Sequence, residues 1–228
     1  MHRFNTAYGL ALLDHSRHIQ QTDRGLTRPV ESPLRTVDLS CLRDQRDLFR
    51  PLNIVVAAGD CVELVGPNGS GKSTLLRTLA GLHSQYRGDF NRVESVYQGH
   101  RFGLDELLSP LENLAWFAGL QGQQLDRHHA LEALERLGLL AEAHTACHRL
   151  SAGQQRRAAI ARWLLAAPSL WLLDEPFNAL DVQSQTLLNE LLQEHCKAGG
   201  AVVCATHLKL QVEGKVTLGL EPPVEFSL

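Results

Sequence analysis

One short glycine-rich segment restricts the fold of this chain more than any other feature of its sequence. Residues 66–73 read GPNGSGKS and match the pattern G-x-x-x-x-G-K-[ST] of a phosphate-binding loop. Residues 61–65 before it form an apolar run typical of a buried strand, and residues 73–80 after it have a helical pattern. A strand, a phosphate-binding loop and a helix in this order predict an α/β domain that binds a nucleotide.

The same loop assigns chemistry to individual residues. Glycine lets backbone N–H groups converge on phosphate oxygens, and the helix N-terminus adds a partial positive charge. We expect Lys72 to reach the β- and γ-phosphates of ATP, with a part in catalysis, and the Ser73 hydroxyl to hold Mg²⁺. The predicted nucleotide-binding residues of this loop are Gly66, Pro67, Asn68, Gly69, Ser70, Gly71, Lys72, Ser73 and Thr74.

A second motif supplies two carboxylates. Residues 170–173 are an apolar strand, and Asp174 and Glu175 follow it directly. The carboxyl ends of parallel strands are where α/β sheets bind their ligands. We therefore expect Asp174 to join Ser73 in the Mg²⁺ shell, and Glu175 to polarise the attacking water as a catalytic base.

Residues 150–156, Leu-Ser-Ala-Gly-Gln-Gln-Arg, resemble the signature motif of ATP-binding cassette (ABC) ATPases, with Ala152 where glycine is more usual. Ser151 is a natural N-cap, and the helix behind it is predicted to run to Ala167. Free N–H groups at a helix N-terminus favour an anion. The resemblance implies that this helix serves the ATP of a second ABC chain, so that the nucleotide is sandwiched between two subunits. The residues so implied are Ser151, Gly153 and Gln154.

Two further segments extend this resemblance. Residues 178–181, Asn-Ala-Leu-Asp, resemble the loop that crosses the dimer interface in ABC ATPases. His207 follows the apolar run 201–205 and resembles the switch histidine that contacts the γ-phosphate, which implies a catalytic role. The motifs together imply a P-loop ATPase of ABC type that closes on ATP as a dimer.

The sequence around these motifs is similar to that of ATP-binding subunits of haem exporters in cytochrome c biogenesis. The similarity lies in residues 97–100, 111–114, 150–157 and 170–177. It implies an ATP-hydrolysing subunit of a membrane export complex with a haem-related role. The open alternatives are the ATPase of another ABC exporter, a soluble ABC ATPase that acts on DNA or ribosomes, and a nucleotide-binding regulator without turnover.

Three positions depart from the ABC pattern. The glutamine that usually links Mg²⁺ to the transporter corresponds to Arg101 here, with Gln98 nearby as a candidate metal ligand. The aromatic residue that usually stacks on adenine corresponds to Arg43, whose guanidinium can also stack on a ring. The segment between Ser73 and Gln98 is too short for the usual extra hairpin, which predicts a reduced antiparallel lobe.

Composition limits the other classes of function. The net charge of -3 provides no global basic field for nucleic acid, and no apolar run is long enough to span a bilayer. We therefore expect the transport path to come from integral membrane permease subunits, with this chain bound peripherally at the cytoplasmic face of the inner membrane. The 5 cysteines include no C-x-x-C pair, which favours a reducing compartment.

The expected organisation is simple. Residues 1–34 have no periodic pattern and are predicted to be an irregular N-terminal extension, and residues 35–228 to be the ABC domain. Within this domain, about residues 105–150 are predicted to form a helical lobe, with Ser109 and Asp126 as helix caps. The predicted fold class is α/β, with a mostly parallel core sheet, a reduced antiparallel lobe and an α-helical lobe.

Overall fold

A five-stranded parallel sheet forms the centre of the protein in the computed structural model, which describes residues 32–166 and 169–223. The strand order is β6-β7-β8-β4-β9, and all four neighbouring pairs run parallel. Each strand therefore ends at the same edge of the sheet. The strands are β4 (Cys61–Val65), β6 (Ser95–Gln98), β7 (Leu170–Asp174), β8 (Ala201–Ala205) and β9 (Val216–Gly219).

A smaller antiparallel sheet is built around one long strand. That strand pairs with all three others of the sheet, and its register against the longest of them shifts between Val37 and Ser40. The expected antiparallel lobe is thus present as a four-stranded sheet. Its strands are β1 (Leu34–Arg43), β2 (Arg46–Asp47), β3 (Val55–Val56) and β5 (Tyr86–Arg92).

Five α-helices complete the described part of the chain. The predicted caps are confirmed: Ser109 and Glu112 form a reciprocal capping box, and the Asp126 carboxylate accepts from the N–H groups of His128 and His129. The helices are α1 (Lys72–Leu79), α2 (Pro110–Leu120), α3 (Arg127–Arg136), α4 (Ala152–Ala166) and α5 (Val182–Lys197).

The parallel sheet is buried on both faces. Alternate side chains of a strand point to opposite faces of the sheet, so each strand contributes to two apolar clusters. Trp171 and Leu173 of β7 pack into one apolar cluster, together with α2, α3, α4 and α5. Leu170 and Leu172 of the same strand pack into the other, together with α1 and the antiparallel sheet. This double burial explains why β7 and β8 read as continuous apolar runs.

The predicted fold class is confirmed, and the strands predicted at residues 61–65 and 201–205 have these bounds in the structure. Helix α4 is described to Ala166, so its predicted end at Ala167 lies outside the described residues. Most of the predicted extension, residues 1–31, also lies outside them, and the domain boundaries stay predictions. Among the described residues, no helix is both long enough and apolar enough to cross a membrane.

One histidine is packed where protonation is unfavourable. The ring of His195, in the last turn of α5, lies parallel to the Trp171 ring, with 3.9 Å between the ring centroids. Gly200 covers the ring closely, since a Cβ built at Gly200 would lie 2.2 Å from it. Burial lowers the pKa of His195 below 6.5, although the nearby backbone of Ala201 and Ser169 acts in the opposite direction.

We predict that His195 makes the fold sensitive to acid. A histidine with a lowered pKa binds fewer protons when folded than when unfolded, so the free energy of unfolding falls as the pH drops through 6.5. The loss for one proton is at most about 1.4 kcal/mol per pH unit. Urea titrations between pH 7.5 and 5 should show a shallower loss in His195→Gln than in the wild type.

The matched control is His129→Gln, because His129 is exposed on α3. It should follow the pH dependence of the wild type. Identical pH dependence in wild type and His195→Gln would contradict the prediction.

Candidate functional site

The phosphate-binding loop connects the end of β4 to the start of α1 and closes on its own lysine. The ammonium of Lys72 donates to the carbonyl oxygens of Gly66 at 2.7 Å and Pro67 at 3.0 Å. Lys72 is only 8% exposed, so its charge is concentrated beneath the loop. A bound phosphate would compete with these two carbonyl groups for the ammonium.

Glycine is required in this loop by backbone conformation and by close packing. Gly66 has φ +149°, and a Cβ there would lie 2.8 Å from Ser70 Oγ. Gly71, the N-cap of α1, has φ +98°, and a Cβ there would lie 2.8 Å from the ring of Phe49. Phe49 is fully buried, so it has little freedom to move away.

The two predicted metal ligands meet in the structure. Ser73, in the first turn of α1, donates its hydroxyl to Asp174 Oδ1 at 2.9 Å. Burial raises the pKa of Asp174, while the Ser73 hydrogen bond and the charge of nearby His100 counteract this effect. A hydroxyl and a carboxylate in contact are oxygen ligands of the kind that Mg²⁺ binds, so this pair fits a magnesium ion.

Glu175 and His207 form a second pair beside the first. His207 Nε2 lies 3.3 Å from Glu175 Oε1, and the backbone N–H of His207 donates to Glu175 Oε2 at 3.4 Å. Glu175 has φ +52°, which places a non-glycine residue in the left-handed region directly after β7. Its N–H donates to Ala205 at the end of β8, so the backbone at this bend is anchored to the sheet. The carboxylate is thereby held where it could accept a proton from water.

The signature segment begins α4 with a reciprocal cap. The Ser151 hydroxyl accepts from the N–H of Gln154 at 3.2 Å, and the Gln154 side chain accepts from the N–H of Ser151 at 2.9 Å. The Gln154 amide donates to Glu142, so this bond joins the start of α4 to the helical lobe. Ser151 is exposed at the protein surface. The structure thus does not bring Ser151 or Gln154 into hydrogen bonding with residues 66–74.

The loop 178–181 lies against this segment within the same chain. A Cβ built at Gly153 would lie 3.1 Å from the carbonyl oxygen of Ala179, which itself has φ +64°. Asp181 is the N-cap of α5 and accepts from the N–H of Ser184 at 2.8 Å. Capping thus gives Asp181 a structural role in addition to the interface role that the resemblance implies.

Gln98 is fully buried at the end of β6, and its side chain joins the segment that follows to α4. Its amide nitrogen donates to the carbonyl oxygens of Gly99 at 3.1 Å and Arg101 at 2.7 Å. Its oxygen accepts from Arg162 and from Trp163, each at 3.3 Å. None of these partners is Ser73 or Asp174, so the structure does not join the Gln98 amide to the two other predicted metal ligands.

His100 is a neighbour of the site that the sequence reasoning did not select. It is exposed just beyond the end of β6, and its charge is among those that lower the pKa of Asp174. The signal was available, since the rule that selected Asp174 also applies to residues after the neighbouring parallel strand. Arg43, the predicted adenine-stacking residue, is exposed at the end of β1, where it pairs with Arg46 of β2.

A sequence profile of the family described as ABC transporter matches residues 49–178, a range that includes the phosphate loop, the signature segment and both carboxylates. The chain belongs to the ABC transporter family. It is therefore an ABC-type ATPase, and the resemblance to this family is confirmed.

Curated relatives agree with the narrower resemblance. The chain is 46% identical over 195 residues to the cytochrome c biogenesis ATP-binding export protein CcmA of Pseudomonas fluorescens, with coverage of 80% of this chain and 90% of that one. It is 42% identical over 197 residues to the protein of the same name from Hahella chejuensis, with coverage of 80% and 92%. These relatives confirm the resemblance to the cytochrome c biogenesis subfamily.

Solved structures support the fold. An ABC transporter ATP-binding protein from Pyrococcus furiosus superposes with a TM-score of 0.71 at 24% identity, covering 81% of this chain and 96% of that one. An ATP-binding cassette of an ABC transporter in its ADP conformation gives a TM-score of 0.67 at 19% identity, covering 83% and 89%. At these identities the two structures support the fold alone.

We predict that Gly71→Ala damages the loop more than Gly69→Ala. Both glycines have positive φ, so alanine costs about 1–2 kcal/mol of strain at either position. At Gly71 the methyl group also meets Phe49 at 2.8 Å, whereas nothing lies within 4 Å of the Cβ position at Gly69. Overpacking of this kind adds about 1–3 kcal/mol.

Urea unfolding of the nucleotide-free proteins measures the difference between the two variants. The double variant Gly71→Ala, Phe49→Leu should recover part of the loss if the clash is its cause. Equal destabilisation by Gly69→Ala and Gly71→Ala would contradict this reading of the loop.

Proposed function

We propose that this chain is the ATP-hydrolysing subunit of a membrane export complex with a haem-related role in cytochrome c biogenesis. ATP hydrolysis is supported by one observation. At one edge of the sheet the structure brings together Lys72, Ser73, Asp174 and Glu175. The role in cytochrome c biogenesis is supported by the names of relatives that are 37–46% identical to this chain.

The resting contacts support the following catalytic roles. Lys72 exchanges its loop carbonyls for the β- and γ-phosphates of ATP, since charged oxygens are stronger acceptors than amide carbonyls. Ser73 and Asp174 would hold Mg²⁺, which would neutralise charge on the transferred phosphoryl group. Glu175 orients and deprotonates the attacking water, and His207 moves from Glu175 to the γ-phosphate.

We predict that Lys72→Ala abolishes ATP binding and that Glu175→Gln retains binding but loses turnover. Lysine supplies ground-state attraction for the phosphates, whereas the carboxylate acts on the water in the transition state. The complex is purified from solubilised membranes, phosphate release is measured, and ATP affinity is measured in parallel. A control variant, Glu132→Gln, changes an exposed carboxylate on α3 and should retain activity.

If Lys72→Ala and Glu175→Gln both hydrolyse ATP at the wild-type rate, the assignment of this site is wrong. Loss of activity on removal of Mg²⁺, with recovery when it is restored, is expected from the Ser73 and Asp174 pair.

The signature segment is proposed to serve the nucleotide of a second ABC chain. Ser151 is exposed at the start of α4, and the first-turn N–H groups there favour an anion. Its side-chain hydrogen bonds, like those of Gln154, have no partner in the phosphate loop of its own chain. A partner subunit placed head to tail would bring each signature segment to the other chain's ATP.

The cargo path is proposed to belong to integral membrane permease subunits, with this chain bound peripherally at the cytoplasmic face of the inner membrane. No helix among the described residues is long and apolar enough to cross a membrane, which is consistent with membrane-spanning segments in other subunits. The names of the curated relatives, as ATP-binding export proteins, support the same arrangement.

We predict that deletion of the gene in its host removes periplasmic c-type cytochromes and spares b-type cytochromes. Haem staining of denaturing gels measures the c-type cytochromes, whose haem is covalently attached, and reduced-minus-oxidised spectra of the membranes measure the b-type cytochromes. The wild-type gene should restore the c-type signal, and Glu175→Gln should not, because the proposed role requires turnover.

Normal c-type cytochromes after deletion would assign the chain to another ABC exporter instead. Restoration of c-type cytochromes by Glu175→Gln would separate the biological role from ATP hydrolysis. It would favour a nucleotide-binding regulator without turnover.

A further inference from the structure

Glu63 is a buried carboxylate in the middle of a strand where an apolar residue is expected. It lies in β4 between β8 and β9, with Cys204 and Thr217 as its register partners. Only 6% of the residue is exposed. Strands of a parallel sheet that is covered on both faces usually carry apolar residues throughout. A buried carboxylate needs compensating partners, and its partners indicate what the charge is used for.

The carboxylate of Glu63 binds two different parts of the chain. Its Oε2 atom accepts from the ammonium of Lys215 at 2.5 Å and from the hydroxyl of Thr217 at 3.3 Å, next to and within β9. Its Oε1 atom accepts from the backbone N–H of Leu210 at 2.9 Å, in a buried hydrogen bond. Lys215 thus balances the charge, whereas the bond to Leu210 reaches an irregular segment between β8 and β9.

This segment, residues 206–213, lies outside the strands and helices, and side chains from elsewhere in the fold hold its backbone. Three of its N–H groups after His207 donate to carboxylate or amide oxygens of β4 and α5. The pairs are Leu210 with Glu63, Gln211 with Asn189, and Glu213 with Gln193. Glu63 is the nearest of these anchors to His207 along the chain. Leu210 is only 2% exposed, so water has little access to its N–H in place of Glu63.

The same hydrogen bond connects two parts of the ATP site. The phosphate loop begins at Gly66, three residues after Glu63, and His207 stands three residues before Leu210. The bond therefore ties the backbone that carries His207 to the strand that carries the loop. The His207 side chain is 61% exposed and contacts Glu175 only at its tip, which leaves room for the ring to turn while its backbone stays fixed.

We propose that Glu63 is a positioning residue for His207: it fixes the backbone of residues 206–211 while the imidazole turns from Glu175 to the γ-phosphate. This inference rests on the proposed function. Lys215 compensates the buried charge, so the carboxylate remains available to the Leu210 N–H. A loosened segment would let the imidazole take many positions, of which few would bring it to the γ-phosphate.

Two double variants separate the anchor from the ion pair. The leucine variant is Glu63→Leu with Lys215→Met, and the glutamine variant is Glu63→Gln with Lys215→Met. Both remove the two buried charges together, so neither leaves an ion without its partner. Only glutamine keeps an oxygen that can accept from the Leu210 N–H. Each is assayed for ATP hydrolysis and melting temperature in the complex purified from solubilised membranes.

We expect kcat of the leucine variant to fall by about tenfold to a hundredfold, because small displacements of a catalytic group have effects of this size. Its KM for ATP should change by less than about threefold, since Lys72 and the loop are untouched. The glutamine variant should retain most of the wild-type kcat. The matched control is Gln193→Leu, which removes the acceptor of the more distant Glu213 N–H and should leave kcat unchanged.

Hydrogen exchange shows whether the loss acts through the His207 segment. In the leucine variant, amide protons of residues 206–212 should exchange faster than in the wild type, with no change in residues 66–73. The glutamine variant should match the wild type in both regions. If the leucine variant does not fold, Glu63→Met with Lys215→Met takes its place, because methionine adapts to irregular spaces.

Several results would overturn the proposal. A wild-type kcat in the leucine variant, despite faster exchange in residues 206–212, would show that the anchor does not serve catalysis. Equal losses of kcat in the leucine and glutamine variants would assign the effect to the ion pair. Faster exchange that extends to residues 66–73 would assign it to the phosphate loop. If the glutamine variant folds and neither variant without an acceptor does, the Leu210 bond serves folding instead.

Failure of the proposed function gives a different result. If the wild-type complex shows no ATPase activity, or if His207→Ala retains the wild-type kcat, the role proposed for His207 is wrong. The inference about Glu63 then fails with it, whatever the two double variants show.

Discussion

The hydrogen bond between Ser73 and Asp174 joins residues that are 101 positions apart, and the site depends on the fold that makes it possible. Ser73 follows β4 and Asp174 ends β7, with β8 between the two strands. Parallel pairing makes all of these strands end at one edge, so the phosphate loop and the carboxylates meet there. Burial of the sheet on both faces by separate apolar clusters fixes this edge rigidly.

Each chemically active group at that edge already has a partner that a nucleotide could displace. Lys72 is bonded to loop carbonyls, Asp174 to Ser73, and Glu175 to His207. These contacts keep buried charges satisfied in the resting protein, which limits the cost of concentrating them in one place. Such an arrangement allows a site to be rigid before the substrate arrives and to reorganise by exchanging partners.

The sequence predicts those parts of the fold and site that local chemistry determines. These parts are the phosphate loop, the strand before it, the capping box at Ser109, the N-cap at Ser151 and the carboxylates after β7. All of them rest on patterns of neighbouring residues. The parallel sheet follows from strands that alternate with helices.

What the sequence leaves open depends on contacts between distant segments. The amide of Gln98 is held by Arg162 and Trp163, more than 60 positions later in the chain, so its orientation has no local signal. The burial of Arg156 against Phe102 likewise depends on how α4 packs on the segment after β6. Periodicity does not reveal which of several charged residues on a helix is buried.

The most direct test of this account is the structure of Glu175→Gln determined with Mg²⁺ and ATP. The account predicts that Mg²⁺ lies between Ser73 Oγ and Asp174, in place of their present 2.9 Å hydrogen bond. It also predicts that the Lys72 ammonium leaves the carbonyl oxygens of Gly66 and Pro67 for the β- and γ-phosphates. ATP bound with Lys72 still on those carbonyls, or Mg²⁺ bound away from Ser73 and Asp174, would contradict it.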